Sequence, residues 1–160
     1  MNDAVSFLWR WELAGHPRDA AAWRMIHDYA IGAFPRAGAA FSDMHIALAQ
    51  AVAGDVALQS RMEQIDELAR QGRYPSGPCV PAVARAFAAF ERRDFRAAID
   101  ALEPIAGELE RIGGSRAQLD LVEFTLLKAY LGADRVDDAR RMLSTRRRGS
   151  LGVPVAGLST

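Results

Sequence analysis

The sequence predicts an all-α fold of about four antiparallel helix pairs, and three observations carry that expectation. Apolar residues recur at helical spacing from end to end, with no sustained strand alternation. Thirty of the 160 residues are Ala and β-branched runs are few, which favours helix throughout. Turn-forming residues punctuate the chain at intervals suited to short helices.

Each element follows from that punctuation. The breaks are Gly15-His16-Pro17, Pro35 to Gly38, Gly54-Asp55, Gly72 to Pro78, Arg92 to Asp94, Gly113-Gly114 and Gly132 to Asp134. They leave eight helices, over 4–14, 19–33, 41–53, 56–71, 80–92, 95–112, 115–132 and 136–147. Pro104 lacks a backbone donor, so the sixth helix should kink there. Odd-numbered helices start near residues 4, 41, 80 and 115, a period of roughly 35 to 39 that is close to that of helical repeat proteins. The helical repeat domain therefore covers 1–148. Residues 149–160, with three Gly, one Pro and no charge, should form a flexible C-terminal tail.

The third pair has Ala86, Ala89 and Phe90 before its turn, then Asp94-Phe95, Ala98-Ile99 and Leu102. It resembles a tetratricopeptide repeat, in which small residues let paired helices approach and an aromatic after the turn fills the gap between them. Three stretches are more specific: Asn2-Asp3-Ala4-Val5-Ser6-Phe7-Leu8-Trp9-Arg10, Phe41-Ser42-Asp43-Met44-His45, and Gly113-Gly114-Ser115-Arg116-Ala117-Gln118-Leu119-Asp120. In this order and spacing they resemble the C-terminal part of the tetratricopeptide-repeat protein 38 family, over about residues 2–144. The resemblance implies an α-solenoid, a right-handed superhelix whose inner surface is lined by the odd-numbered helices. It implies no established catalysis, and so a scaffold or binding surface. The family usually has Asn at the place of Ser42, His at Arg116 and Arg at Leu119.

In a solenoid, the starts of the odd-numbered helices line one rim, so Asn2-Asp3, Ser42-Asp43 and Ser115 should be neighbours. The simplest role for Ser and Asp at these places is helix capping. Asp43 and His45 are spaced i, i+2 and face different ways, which argues against a direct acid–base dyad. His45 should be an interior histidine bonded to a neighbouring helix, and Gln118 and Asp120 a polar clamp between repeats. The alternative reading is an enzyme or small-molecule-binding protein using the rim residues Asp43, His45, Ser115, Gln118 and Asp120.

Lys+Arg and Asp+Glu both number 20, so the net charge is zero and a strongly basic nucleic-acid binder is not expected. The arginines from Arg140 to Arg148 are expected mainly to complement a helix C-terminus. The single cysteine, Cys79, allows no internal disulfide and suits a reducing, cytoplasmic location; at a helix start its pKa would fall were it exposed. His16 and His27 fit no metal-ligand pattern, so neither metal nor cofactor is expected. No apolar run approaches the ~18 to 20 residues that span a bilayer.

The three tryptophans, Trp9, Trp11 and Trp23, all fall in the first pair. On the first helix, apolar side chains cover some two-thirds of the circumference, interrupted only by Glu12. A terminal helix with no polar outer face invites a partner, so a homodimer through Phe7, Trp9 and Trp11 is expected. The expected function is a protein-interaction scaffold whose partner is a protein or peptide.

Overall fold

The computed structural model of the chain describes residues 1–145; the expectations for the tail, for the end of the last helix and for Arg146 to Arg148 lie outside the described residues. All regular structure among the described residues is helical. The helices are α1 (Asn2–Leu13), α2 (Ala20–Ala33), α3 (Ala40–Ala53), α4 (Leu58–Arg70), α5 (Cys79–Glu91), α6 (Phe95–Leu102), α7 (Arg116–Gly132) and α8 (Val136–Thr145).

Local chemistry sets most boundaries. Asp19 accepts from the N–H groups of Ala21 and Ala22 to start α2, and Asp94 accepts from Ala97 N–H to start α6. Gly54, at φ 64°, closes α3 in the left-handed conformation. The largest departure from the sequence reading is the sixth helix. Instead of a kinked helix to residue 112, α6 stops at Leu102 and gives way to two 3-10 turns, Glu103–Ile105 and Leu109–Ile112. Pro104 supplies no N–H to continue the α ladder, and the tighter turns bury Ile105, Leu109 and Ile112.

The odd-numbered helices form the centre. α1 packs on α3, α3 on α5 and α5 on α7, and α7 packs back on α1, so the four close into a ring. The even-numbered helices lie around it, α2 on α3, α4 and α6 on α5, and α8 on α7. An open superhelix would leave the inner faces of the odd helices lining a groove; here those faces meet and bury one another. Accordingly α3 is buried through eight consecutive residues, Asp43–Gln50, and α5 from Val80 to Ala89 with only Arg85 exposed.

The third pair packs as its sequence suggests. Ala86, Ala98 and Leu102 are buried, and the Phe90 and Phe95 rings meet edge to face at 5.3 Å. Trp9, 1% exposed, stands at the centre of the aromatic core, with its ring at 5.4 Å from Phe90, 6.1 Å from Phe87 and 6.5 Å from Trp23. Its indole N–H donates to Thr125 Oγ1 at 2.8 Å and so ties α1 to α7.

Candidate functional site

The N-terminal ends of α1, α3 and α7 come together, and they bring most of the predicted rim residues with them. Asn2 Nδ2 donates to Ser42 Oγ at 3.2 Å, joining α1 to α3. Gln118 Nε2 donates to Asp3 Oδ1 at 2.5 Å, and Ser6 Oγ donates to Ala117 O at 3.2 Å, joining α1 to α7. Ser115 N–H donates to Gln118 Oε1 at 2.7 Å in a capping box that starts α7. Ser115 is therefore a cap, whereas Ser42 lies inside the first turn of α3 and serves as an acceptor for α1.

Above this junction the Phe41 ring lies against the backbone of Gly114. A Cβ at Gly114 would fall 2.6 Å from that ring, and its φ of +95° is one that other residues rarely adopt. Phe41 in turn packs on His45, with ring centroids 4.8 Å apart. His45 is fully buried, but its partner is its own helix: Nδ1 lies 2.7 Å from Phe41 O, while Nε2, like the buried Asn2 Oδ1, has no partner among the described residues. Burial pushes its pKa down to about 4, against the opposing pull of the Phe41 carbonyl and Asp3, so the ring is neutral near pH 7 and Nδ1–H donates to Phe41 O.

Asp43 and Asp120 stand apart from His45. Asp43, also buried, accepts from Tyr74 Oη at 2.7 Å and Gly38 N–H at 2.9 Å and pairs with Arg61 at 3.5 Å. Arg61 donates to Gln50 Oε1 at 2.7 Å and to Phe34 O at 2.5 Å, and Gln50 donates to Asp55 Oδ2, which also bonds His27 Nε2. This network ties α2, α3, α4 and the turn around Tyr74 together with its charges paired; burial and the Asp43 carboxylate hold the Tyr74 hydroxyl protonated. Asp120 pairs with Arg116 on its own helix at 2.9 Å. The expected clamp between α1 and α7 is visible at Gln118, through its bond to Asp3.

At the opposite end, the C-terminal ends of α1, α5 and α7 surround a cleft of about 580 Å³. Its floor is Trp9, Leu13, Phe90, Phe95 and Leu131. Across one wall Arg18 bonds both Glu12 at 2.7 Å and Glu91 at 2.8 Å, and Glu12 also accepts from the Trp23 indole at 2.5 Å. The other wall carries Arg93, whose guanidinium lies over the Phe95 ring at 5.4 Å, and Lys128, whose pKa burial pushes down. Gly132 completes the cleft; a Cβ there would meet the Phe95 ring at 2.4 Å, so this glycine is what lets Phe95 seat against α7.

Family models, curated proteins and solved structures give no match to this chain.

The sequence reading missed the cleft, although two signals point to it. Glu12 is the one charge on the apolar side of the first helix, and Lys128 is the only lysine in the chain. It also missed Arg61, which occupies a position in the apolar stripe Leu58, Arg61, Ile65, Leu68 of α4.

The predicted contact set of Phe7, Trp9 and Trp11 divides. Phe7 is 56% exposed and Trp11 41% exposed, stacked on each other at 6.1 Å, with His16 stacked on Trp11 at 3.6 Å. Trp9 is consumed by the core and offers nothing to a second chain. Cys79 starts α5 as a small buried residue, with Sγ 3.9 Å from Glu108 O; not being exposed, it has its pKa raised by burial. Among the described residues no helix is long and apolar enough to cross a membrane.

Proposed function

We propose that the chain is a protein-interaction scaffold built of tetratricopeptide-repeat-like helix pairs, in keeping with its resemblance to the tetratricopeptide-repeat protein 38 family, and that its partner docks at the cleft between α1, α5, α6 and α7. The observation that carries this reading is the cleft's composition. Aromatic and aliphatic side chains form the floor and charged side chains form the walls, the arrangement that protein interfaces use for an apolar anchor with a polar rim.

The rim offers less to a reacting substrate. His45 is neutral and shut beneath Phe41, and the carboxylates of Asp43 and Asp120 are committed to Arg61 and Arg116. General acid–base work needs a titrating group within reach of its substrate, and His45 lacks that access.

The test is site-specific photo-crosslinking in the source cells. A photoreactive residue at exposed Arg93, on the cleft wall, is expected to give discrete protein adducts, and one at exposed Gln59, remote from it on α4, none. Absence of adducts from position 93, or the same adducts from both positions, would remove the cleft as the docking site.

A further inference from the structure

The cleft does not end at its floor. Phe95 and Gly132, which line it, are followed directly in the chain by Arg96 and Ala133, which line a second hollow of about 240 Å³ together with Ile99, Asp100 and Arg135. Lined by consecutive residues at the start of α6 and the end of α7, the two hollows together mark out a track beside the aromatic floor. Along this track the charges are unequal. Glu12 and Glu91 are held by Arg18, Asp94 caps α6, and Glu103 and Asp138 are paired with Arg135. Asp100 is the one carboxylate lining the second hollow. Arg93 and Arg96, one lining each hollow, are exposed, and among the described residues neither enters an ion pair.

Helix dipoles do not account for this placement. Arg96 lies in the first turn of α6, where the dipole opposes a positive charge. Arg93 is held at φ 60°, a conformation few non-glycine residues adopt, and this turn sets its guanidinium on Phe95 at the lip of the cleft. Unpaired cations beside a concave aromatic floor complement a ligand that is apolar at one point and anionic next to it.

We propose that the track binds an acidic peptide segment of a partner protein, with one bulky apolar side chain seated on Phe90, Phe95 and Leu131 and flanking Asp or Glu residues facing Arg93 and Arg96. This rests on the scaffold reading above and specifies the chemistry of its partner. Affinity comes from the buried anchor, while the carboxylates set the on-rate, the specificity and a dependence on salt.

The test is selection from a displayed library of random twelve-residue peptides on the full chain. Expected are selected peptides enriched in Asp and Glu beside a Phe, Leu, Ile or Trp. They should bind the Arg93→Glu/Arg96→Glu variant about tenfold more weakly, and wild-type chain at high salt more weakly than at low salt. Because both side chains are exposed, this variant should keep its melting temperature, and Arg93→Gly, which suits the positive φ, gives a second variant with the backbone unstrained. Enrichment of basic or uncharged peptides, equal binding by the charge-reversed variant, or tighter retention of a random single-stranded RNA pool than of acidic peptides would each overturn the proposal. Position-93 adducts obtained alongside a failed acidic selection would leave the scaffold reading standing and remove only the acidic partner. Loss of both would remove the two together.

Discussion

The two ends of the α1 and α7 pairing use polar residues in opposite ways. At the N-terminal end, Asn2, Asp3, Ser42, Ser115 and Gln118 bond to one another across three helices, and Phe41 and Gly114 close over them. At the C-terminal end, large aromatic side chains hold the helices together beneath a cleft, and the charged residues stand around its mouth. Polar groups bonded to one another across helices fix one geometry; polar groups around an open cleft remain available to something else.

That contrast predicts very different costs for removing charge. Asp43→Ala would strip the partner from buried Arg61 and from the Tyr74 hydroxyl, and should cost about 3 to 5 kcal/mol in denaturant unfolding, near the whole stability of many domains. Arg18→Ala, at the cleft, removes pairs that are partly open to water and should cost no more than about 1 kcal/mol. Equal losses from the two variants would break the distinction between a structural end and an available one.

The pH dependence sharpens it. His45 has its folded pKa pushed from 6.5 down to about 4 by burial, so between those values the unfolded chain binds a proton that the folded chain does not. Its contribution to stability is present above pH 6.5 and is lost as the pH falls toward 4, a decline on the order of 3 kcal/mol. His27 acts in the other direction. Burial opposes its charged form, but the bonds to Asp55 and Asp28 outweigh burial and raise its pKa above 6.5, so its stabilising contribution is full below 6.5 and fades as the pH rises through the raised value. Denaturant midpoints of His45→Gln across this range should lose the acid-side decline, while His27→Gln should flatten the neutral side. An acid limb unchanged in His45→Gln would show that the ring is not held neutral.

How far the sequence could be read follows the same division. Helix existence and the tight third pair were legible, because caps, breakers and the 3.6-residue period are local properties, and the helix-pair period put Asn2-Asp3, Ser42 and Ser115 on one rim. The closure of α1 on α7 was not. It depends on the Trp9–Thr125 bond and on Ser6 reaching Ala117 O, contacts between residues more than a hundred positions apart that no local pattern announces. The end of α6 was misjudged for a nearer reason: Pro104 was given the effect of a kink, and the apolar residues beyond it were read as the same helix, whereas they pack through 3-10 turns. Asp43 was placed on the right helix but assigned to the rim, since its true partner, Arg61, comes from an apolar stripe where an arginine is not expected.

A smaller effect tests the lid over the closed end. Gly114→Ala puts a methyl group against Phe41 at a φ of +95° and should cost about 1 to 3 kcal/mol, with increased hydrogen exchange at the start of α7. Gly38→Ala, where a Cβ meets nothing within 4 Å, is the matched control and should change stability by less than about 0.5 kcal/mol. A Gly114→Ala variant as stable as its control would mean that the Phe41 contact is not tight.

The smallest effect on folding is expected at the exposed aromatic pair of α1, and it bears on assembly. Phe7 and Trp11 cover each other partly, and Trp11 stacks on His16, yet both remain largely open to water, while Trp9 between them carries the packing of the core. Replacing Trp9 with Ala should cost about 3 to 5 kcal/mol, as for any large aromatic side chain removed from a core. The Phe7→Ser/Trp11→Ser variant should shift the unfolding free energy by less than about 1 kcal/mol, because little of the intramolecular packing depends on either ring. The expectation of a homodimer thus rests on these two residues, without the third. Sedimentation equilibrium at rising concentration should give a dimer for the wild-type chain and a monomer for the double serine variant, with unfolding midpoints in the monomer range nearly equal. A wild-type chain that stays monomeric throughout that range would end the dimer expectation, and would leave the stacked pair as surface partly covered by His16 from the turn after α1.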